Sequence, residues 1–151
     1  MPNHTKTPLV ESSRARRVKI PVTADRDILM ARQRGLELAT EANFTRLEAT
    51  LIATAISELA RNIHQHAGRG EVSIKTDERE EGTCLTVVAR DHGPGIPDLE
   101  TSLQDGVSTS NGLGLGLPGV RRLMDEFEIV SRQNRGTTVT VKKWARRRTA
   151  V

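Results

Sequence analysis

Three short patterns in a fixed order constrain this chain more than its composition does: Glu58-Leu-Ala-Arg-Asn62, Asp91-His-Gly-Pro-Gly95 and Gly112-Leu-Gly-Leu-Gly116. The first lies in a run that reads as helix. Thr45 with Glu48 three residues on is a capping box, and Leu47, Leu51, Ala55, Leu59 and Ile63 recur every four residues until Gly68 and Gly70 end the run. The second pattern follows an alternation of Leu85, Val87 and Ala89, so its aspartate stands where a strand gives way to a glycine turn. The third runs into Pro118, a residue favoured at helix starts. Any fold for this chain must therefore unite a helix face, a strand end and a glycine-rich helix entrance.

The rest of the chain supplies a frame for them. Val18, Ile20 and Val22 alternate as a first strand, and Thr23 is expected to cap a helix from about Ala24 to Ala42 with Ile28, Leu29, Leu36 and Ala39 inward. Val72 and Ile74 form a strand that turns near Glu80 to Gly82 into its partner. Beyond Pro118, a helix presents Val120, Leu123, Met124 and Phe127; Ile129 and Val130, a turn at Asn134-Arg-Gly136, then Val139 and Val141 close with a hairpin. The order β-α-α-β-β-α-β-β predicts a two-layer α/β sandwich, with a mixed, mostly antiparallel sheet and helices on one face. The expected domain covers residues 15–144, between a polar, disordered stretch 1–14 and a basic tail 145–151.

Composition narrows the class. At 151 residues one domain with a full core is expected. The single Cys84 excludes an internal disulfide and a multi-cysteine zinc site, and fits a reducing cytoplasm. No apolar run is long enough for a bilayer. The sequence pI of about 9.8 raises the question of nucleic acid. Yet residues 1–20 carry net +4 and residues 142–151 net +5, against +4 for the whole chain, which leaves residues 21–141 at −5. The body is acidic, and at its basic ends just Trp144 is available to stack on a base. The reading against nucleic acid is preferred.

Glu58 and Asn62 are four apart, hence neighbours on a helix, and at about 100° per residue both fall in the arc of Leu47, Leu51 and Ala55. The bland reading is a solvated polar pair. A carboxylate and an amide turned inward, however, need partners. A magnesium ion suits the amide oxygen, and a nucleophilic hydroxyl suits the carboxylate. For Asp91 the bland reading is a tight turn leaving a strand, which an isolated pattern of this kind deserves more often than not; the functional reading is an acceptor for an adenine amino group, with the glycines letting backbone lie flat against the base. His92 reads as a turn residue. The glycines 112, 114 and 116 are either a flexible loop or backbone amides wrapping phosphates at a helix entrance; they match neither a Walker loop nor a Rossmann fingerprint.

Together with Gly136-Thr137-Thr138, these patterns resemble the boxes of the ATPase superfamily of gyrase, histidine kinases and MutL (GHKL, the Bergerat fold) over roughly residues 45–143. The resemblance implies ATP bound between helices and sheet, with Asn62 as the magnesium ligand and Glu58 as catalytic base. It implies Asp91 as adenine anchor with Gly93 and Gly95 beside it. Gly112, Leu113, Gly114, Leu115 and Gly116 would be phosphate contacts in a lid, and Thr137 a water-mediated adenine contact. From about Leu99 to Gly116 that lid is expected to be mobile. It holds no Lys or Arg, so γ-phosphate charge would fall to magnesium, backbone amides, Arg121, Arg122 or a partner's group.

Within the superfamily, Thr54-Ala-Ile-Ser-Glu-Leu-Ala-Arg-Asn62, Asp105-Gly-Val-Ser-Thr-Ser110 and Gly116-Leu-Pro-Gly-Val-Arg-Arg-Leu-Met-Asp-Glu-Phe127 are similar to the RsbT-type switch kinases of the stressosome, across most of residues 16–144. A histidine kinase would need a phosphoacceptor histidine upstream, where His4 alone stands, and gyrase and MutL types need a further domain. The RsbT type implies a cytoplasmic serine/threonine kinase acting on a STAS-domain protein, with a PP2C-type phosphatase as second partner. The alternatives are an anti-sigma factor kinase that holds a sigma factor, and a nucleotide-gated binding module without significant catalysis; intact Glu58 and Asn62 argue against the latter. The basic run at 146–148 extends beyond that type's expected end.

Overall fold

A computed structural model describes residues 15–99 and 116–146. The elements run β1 (Arg16–Val22), α1 (Asp25–Glu41), α2 (Arg46–Ala67), β2 (Gly70–Arg79), β3 (Gly82–Asp91), α3 (Gly116–Leu123), β4 (Glu126–Arg132) and β5 (Gly136–Arg146). The order is the one expected. The strands form a five-stranded sheet in the order β1-β2-β3-β5-β4, with every neighbouring pair antiparallel. The parallel component of a mixed sheet is absent among the described residues. Hairpins join β2 to β3 and β4 to β5, and the segment containing α3 leads from β3 to β4 at the edge beyond β5.

Period-two patterning puts Val72 and Ile74 of β2, Leu85, Val87 and Ala89 of β3, and Val139 and Val141 of β5 on one buried face. Register aligns Val72 with Ala89 and Ile74 with Val87, and Ala89 with Val139, so these side chains form continuous rows under the helices. Ile52, Ile56, Leu59 and Ile63 of α2 and Leu38 of α1 close the core from above. Truncating a buried side chain such as Leu59 to Ala typically removes about 2–5 kcal/mol. None of the described helices is long and apolar enough to cross a membrane.

Local expectations fail at four places. Leu47 is 68% exposed, because a row spaced by four winds about 40° per step and places Leu47 and Ile63 about 160° apart around the helix. Leu29 is also 68% exposed, on the outer side of α1. The N-cap of α1 is Ala24. The Asp27 carboxylate supplies the capping, accepting hydrogen bonds from the backbone N–H groups of Thr23 and Ala24 at 2.8 and 3.1 Å and from the Thr23 hydroxyl. Phe127 belongs to β4, since α3 ends at Leu123. The Thr45–Glu48 capping box of α2 is present in both directions.

The stretches 1–14, 100–115 and 147–151 lie outside the described residues, and with them the expected disordered start, most of the expected lid and most of the basic tail. β5 continues through Ala145 and Arg146, which pair with Thr83 and Gly82. Trp144 is held within the sheet: its Nε1 donates to Glu126 Oε2 at 2.9 Å, and the Arg79 guanidinium lies 5.6 Å from its ring centre. Its cross-strand neighbour, Cys84, is buried and unpaired.

Candidate functional site

A cavity of about 190 Å³ opens between α2 and the ends of β3 and β5. Leu59 and Ile63 of α2, Ala89 of β3, Val139 of β5 and Leu117 of α3 give it apolar walls. Asn62, Asp91, Gly95 and Thr137 all reach it. Residues from three separate sequence patterns thus meet in one space. Glu58 and Gly93 do not line it, and Gly116 opens α3 as a buried residue next to the wall residue Leu117. Gly112, Leu113, Gly114 and Leu115 lie outside the described residues.

Asn62 and Glu58 sit on the inward side of α2, one turn apart. Glu58 is 7% exposed, on a helix side lined by alanine, isoleucine and leucine together with the buried Ser57. Its Oε2 accepts from Arg61 Nη1 at 2.7 Å, an ion pair that compensates part of the cost of burying the carboxylate. Oε1 and the Asn62 side-chain amide have no hydrogen-bond partner among the described residues. The Asn62 amide at the cavity edge and Glu58 Oε1 one turn away are not among the buried unpaired polar atoms, so both are open to water or to a bound group.

The opposite wall is built from backbone. Asp91 is the last residue of β3, and its Oδ1 accepts from Gly93 N at 2.9 Å and from Thr137 N at 3.3 Å. One oxygen of Asp91 makes the turn, while Oδ2 has no partner among the described residues. The loop that follows is tied to the β4–β5 hairpin. Asn134 N donates to Pro94 O at 2.8 Å, and Ile96 N donates to Ser131 Oγ at 2.8 Å. Close approach explains two glycines here. At Gly95 (φ +85°) a Cβ would lie 2.5 Å from the Arg132 carbonyl oxygen, and at Gly136 (φ +113°) one would collide with that of Asp91. Thr137 is buried against Asp91 and Ser131, its Oγ1 lying 2.8 Å from Ser131 Oγ.

Sequence reasoning missed several members. Pro94, Ile96 and Pro97 line the cavity from within and just past the second pattern, and His66 lies one turn beyond Asn62, which its spacing could have shown. Arg61 stands inside the quoted motif, and its i,i+3 relation to Glu58 was available as a signal. Ser131 had none, since it depends on the register that sets it opposite Thr137. Of the cations expected for phosphate, Arg121 is exposed with its guanidinium 5.8 Å from the Phe127 ring centre.

A sheet covered on one face by helices, with an apolar cavity between the layers and an amide and a carboxylate at its rim, defines a ligand-binding α/β sandwich. The chain belongs to the histidine kinase-like ATPase domain family, whose model matches residues 22–143. It is 46% identical over 129 residues to the serine/threonine-protein kinase RsbT of Bacillus subtilis, covering 84% of this chain and 96% of that protein. It is 39% identical over 103 residues to the anti-sigma F factor of Geobacillus stearothermophilus, covering 64% of this chain and 69% of that one. Among solved structures, the mycobacterial sensor histidine kinase MprB superposes with a TM-score of 0.51 at 20% identity, over 85% of this chain and 99% of that one. The catalytic domain of histidine kinase ThkA gives 0.50 at 17%, over 84% and 95%. These two likenesses concern the fold.

Proposed function

We propose that this chain is an ATP-dependent serine/threonine kinase of a bacterial partner-switching pathway, acting in the cytoplasm on a STAS-domain protein of a stressosome and, when released from it, activating a PP2C-type phosphatase. The observation that carries the kinase reading is the buried Glu58 one turn from Asn62 at the cavity rim, in a chain 46% identical to a named serine/threonine kinase.

The cavity fits part of a nucleotide. Its volume of about 190 Å³ lies below the roughly 300–1,000 Å³ of pockets that take whole ligands, and its walls are apolar apart from Asn62, His66, Asp91 and Thr137. That is the character of a base site. In this reading Asp91 Oδ2 accepts from the adenine amino group, Gly93 and Gly95 bring backbone to the ring, and Thr137 contacts it. The phosphates extend past Asn62 toward Glu58, with Gly112, Leu113, Gly114, Leu115 and Gly116 along them.

The unpartnered Asn62 amide supports the magnesium assignment: its oxygen would hold the ion, which when bound neutralises phosphate charge. Glu58 then stands beyond the base site, where its carboxylate takes the proton of a serine or threonine hydroxyl on the partner. Arg61 orients that carboxylate and brings positive charge beside it.

The test is to incubate the chain with magnesium-ATP and candidate STAS-domain proteins and to search for phosphoserine and phosphothreonine by mass spectrometry. Phosphate transfer to one STAS partner that is lost in Glu58→Gln supports the reading. Absence of transfer to any of them, with ATP bound, defeats it. The likeness to the anti-sigma F factor supports a second reading, in which the chain also binds a sigma factor; co-purification with a sigma factor in the presence of ATP distinguishes the two.

A further inference from the structure

Ser131 of β4 faces Thr137 of β5 in the sheet register. Its Oγ accepts from the Ile96 N–H at 2.8 Å and lies 2.8 Å from Thr137 Oγ1. A serine hydroxyl has one proton and two lone pairs. With Ile96 on a lone pair, the Ser131 proton has one acceptor among the described residues, and that is Thr137 Oγ1. Donation in this direction satisfies Ser131, whereas the reverse would strand a half-buried donor. Thr137 then retains its own hydroxyl proton, and Thr137 lines the cavity. The Thr137 N–H is meanwhile held by Asp91 Oδ1.

We propose that Ser131 is a positioning residue that sets base specificity: it orients the Thr137 hydroxyl as a donor into the cavity, beside the Asp91 acceptor, and holds the Gly95–Ile96 backbone against both. The proposal rests on the ATP reading above. A donor beside an acceptor matches the adenine edge, which offers a ring nitrogen next to an amino group. Guanine carries a carbonyl oxygen where adenine has that amino group, so it would turn an acceptor toward the Asp91 carboxylate. One hydroxyl thereby joins the loop after β3 to both strands of the β4–β5 hairpin in a single reading surface. Glu58 and Asn62 have no part in it.

The experiment compares wild type, Ser131→Ala and Ser131→Thr. Three quantities are read: hydrogen exchange at the Ile96 amide without nucleotide, dissociation constants for ATP and GTP, and KM and kcat of phosphotransfer. In Ser131→Ala, Ile96 should exchange faster and the ATP dissociation constant should rise about tenfold, with GTP affinity and kcat moving less than about twofold. Ser131→Thr, which restores the hydroxyl, should recover both the exchange rate and the ATP affinity. Unchanged Ile96 exchange overturns the proposal. So does faster exchange with unaltered ATP affinity, or an equal loss for ATP and GTP. If the wild-type chain binds no ATP, the nucleotide reading and this role fall together, and faster Ile96 exchange in Ser131→Ala would mark Ser131 as structural only.

Discussion

The two sides of the cavity are built by different means. The sheet side gathers β3, the loop after it, β4 and β5, and fixes them through bonds donated by backbone N–H groups: Asn134 N to Pro94 O, Ile96 N to Ser131 Oγ, and Gly93 N and Thr137 N to one oxygen of Asp91. The helix side is a single stretch of α2, whose functional groups are side-chain atoms with Arg61 as the partner of Glu58. Backbone bonds shared among four segments make a rigid surface suited to recognising a flat ring. Two side chains on one helix leave free donors and acceptors suited to chemistry. Substitutions on the sheet side should therefore damage binding and the fold together, while those on the helix side should damage rate or magnesium-dependent binding and leave the fold alone.

The largest effect is expected at Glu58. Glu58→Gln preserves shape and should lower phosphotransfer by ~10²–10⁴-fold with ATP affinity nearly intact. Single-turnover transfer to a STAS partner, beside ATP titration, measures both. Near-normal transfer would break the division between the two sides.

Gly136→Ala should come next. A methyl group there meets the Asp91 carbonyl at φ +113°, so a loss of about 1–3 kcal/mol in denaturant unfolding is expected, with weakened ATP binding. Asn62→Ala, by contrast, should unfold within about 0.5 kcal/mol of wild type and still lose magnesium-dependent ATP binding. Equal stability losses in these two variants would remove the contrast.

Asp91→Asn should weaken ATP by about tenfold more than GTP, because a charge-assisted bond to the amino group becomes a neutral one. Competition binding with both nucleotides decides this, and equal losses would leave Asp91 as a turn residue.

The smallest effect lies outside the cavity and serves as a control. Hydrogen bonds from the Thr23 backbone hold the half-buried Asp27 carboxyl below its ordinary value of 3.8. A carboxyl lowered on folding adds stability above that value and loses it as pH falls through the folded one. Asp27→Asn should flatten this acid-side slope of the melting temperature and leave ATP affinity unchanged at pH 7.

Legibility followed the range of the interactions. Glu58, Asn62, Asp91, Gly95 and Thr137 could be picked out because each belongs to a local pattern with its own periodicity or turn chemistry. Arg61 and His66 were within reach of the same helical arithmetic. Leu47 was misjudged because a spacing of four was treated as one face, while the helix repeats every 3.6 residues and the row drifts off the core; Leu29 was misjudged because it was grouped with its neighbour Ile28, about 100° away around the helix. Phe127 was misjudged because an apolar residue just past a helix carries no mark of whether the helix has ended.

What the sequence by itself determined is the set of elements, their order, and the residues able to do chemistry, since capping, periodicity and turn propensity act over a few residues. The tertiary structure alone decided that β5 lies between β3 and β4, which brings Thr137 to Asp91 and Ser131 to both Thr137 and Ile96. Strand order and register come from burial summed over the whole sheet and from one-residue shifts that would invert every side chain, so no local pattern encodes them.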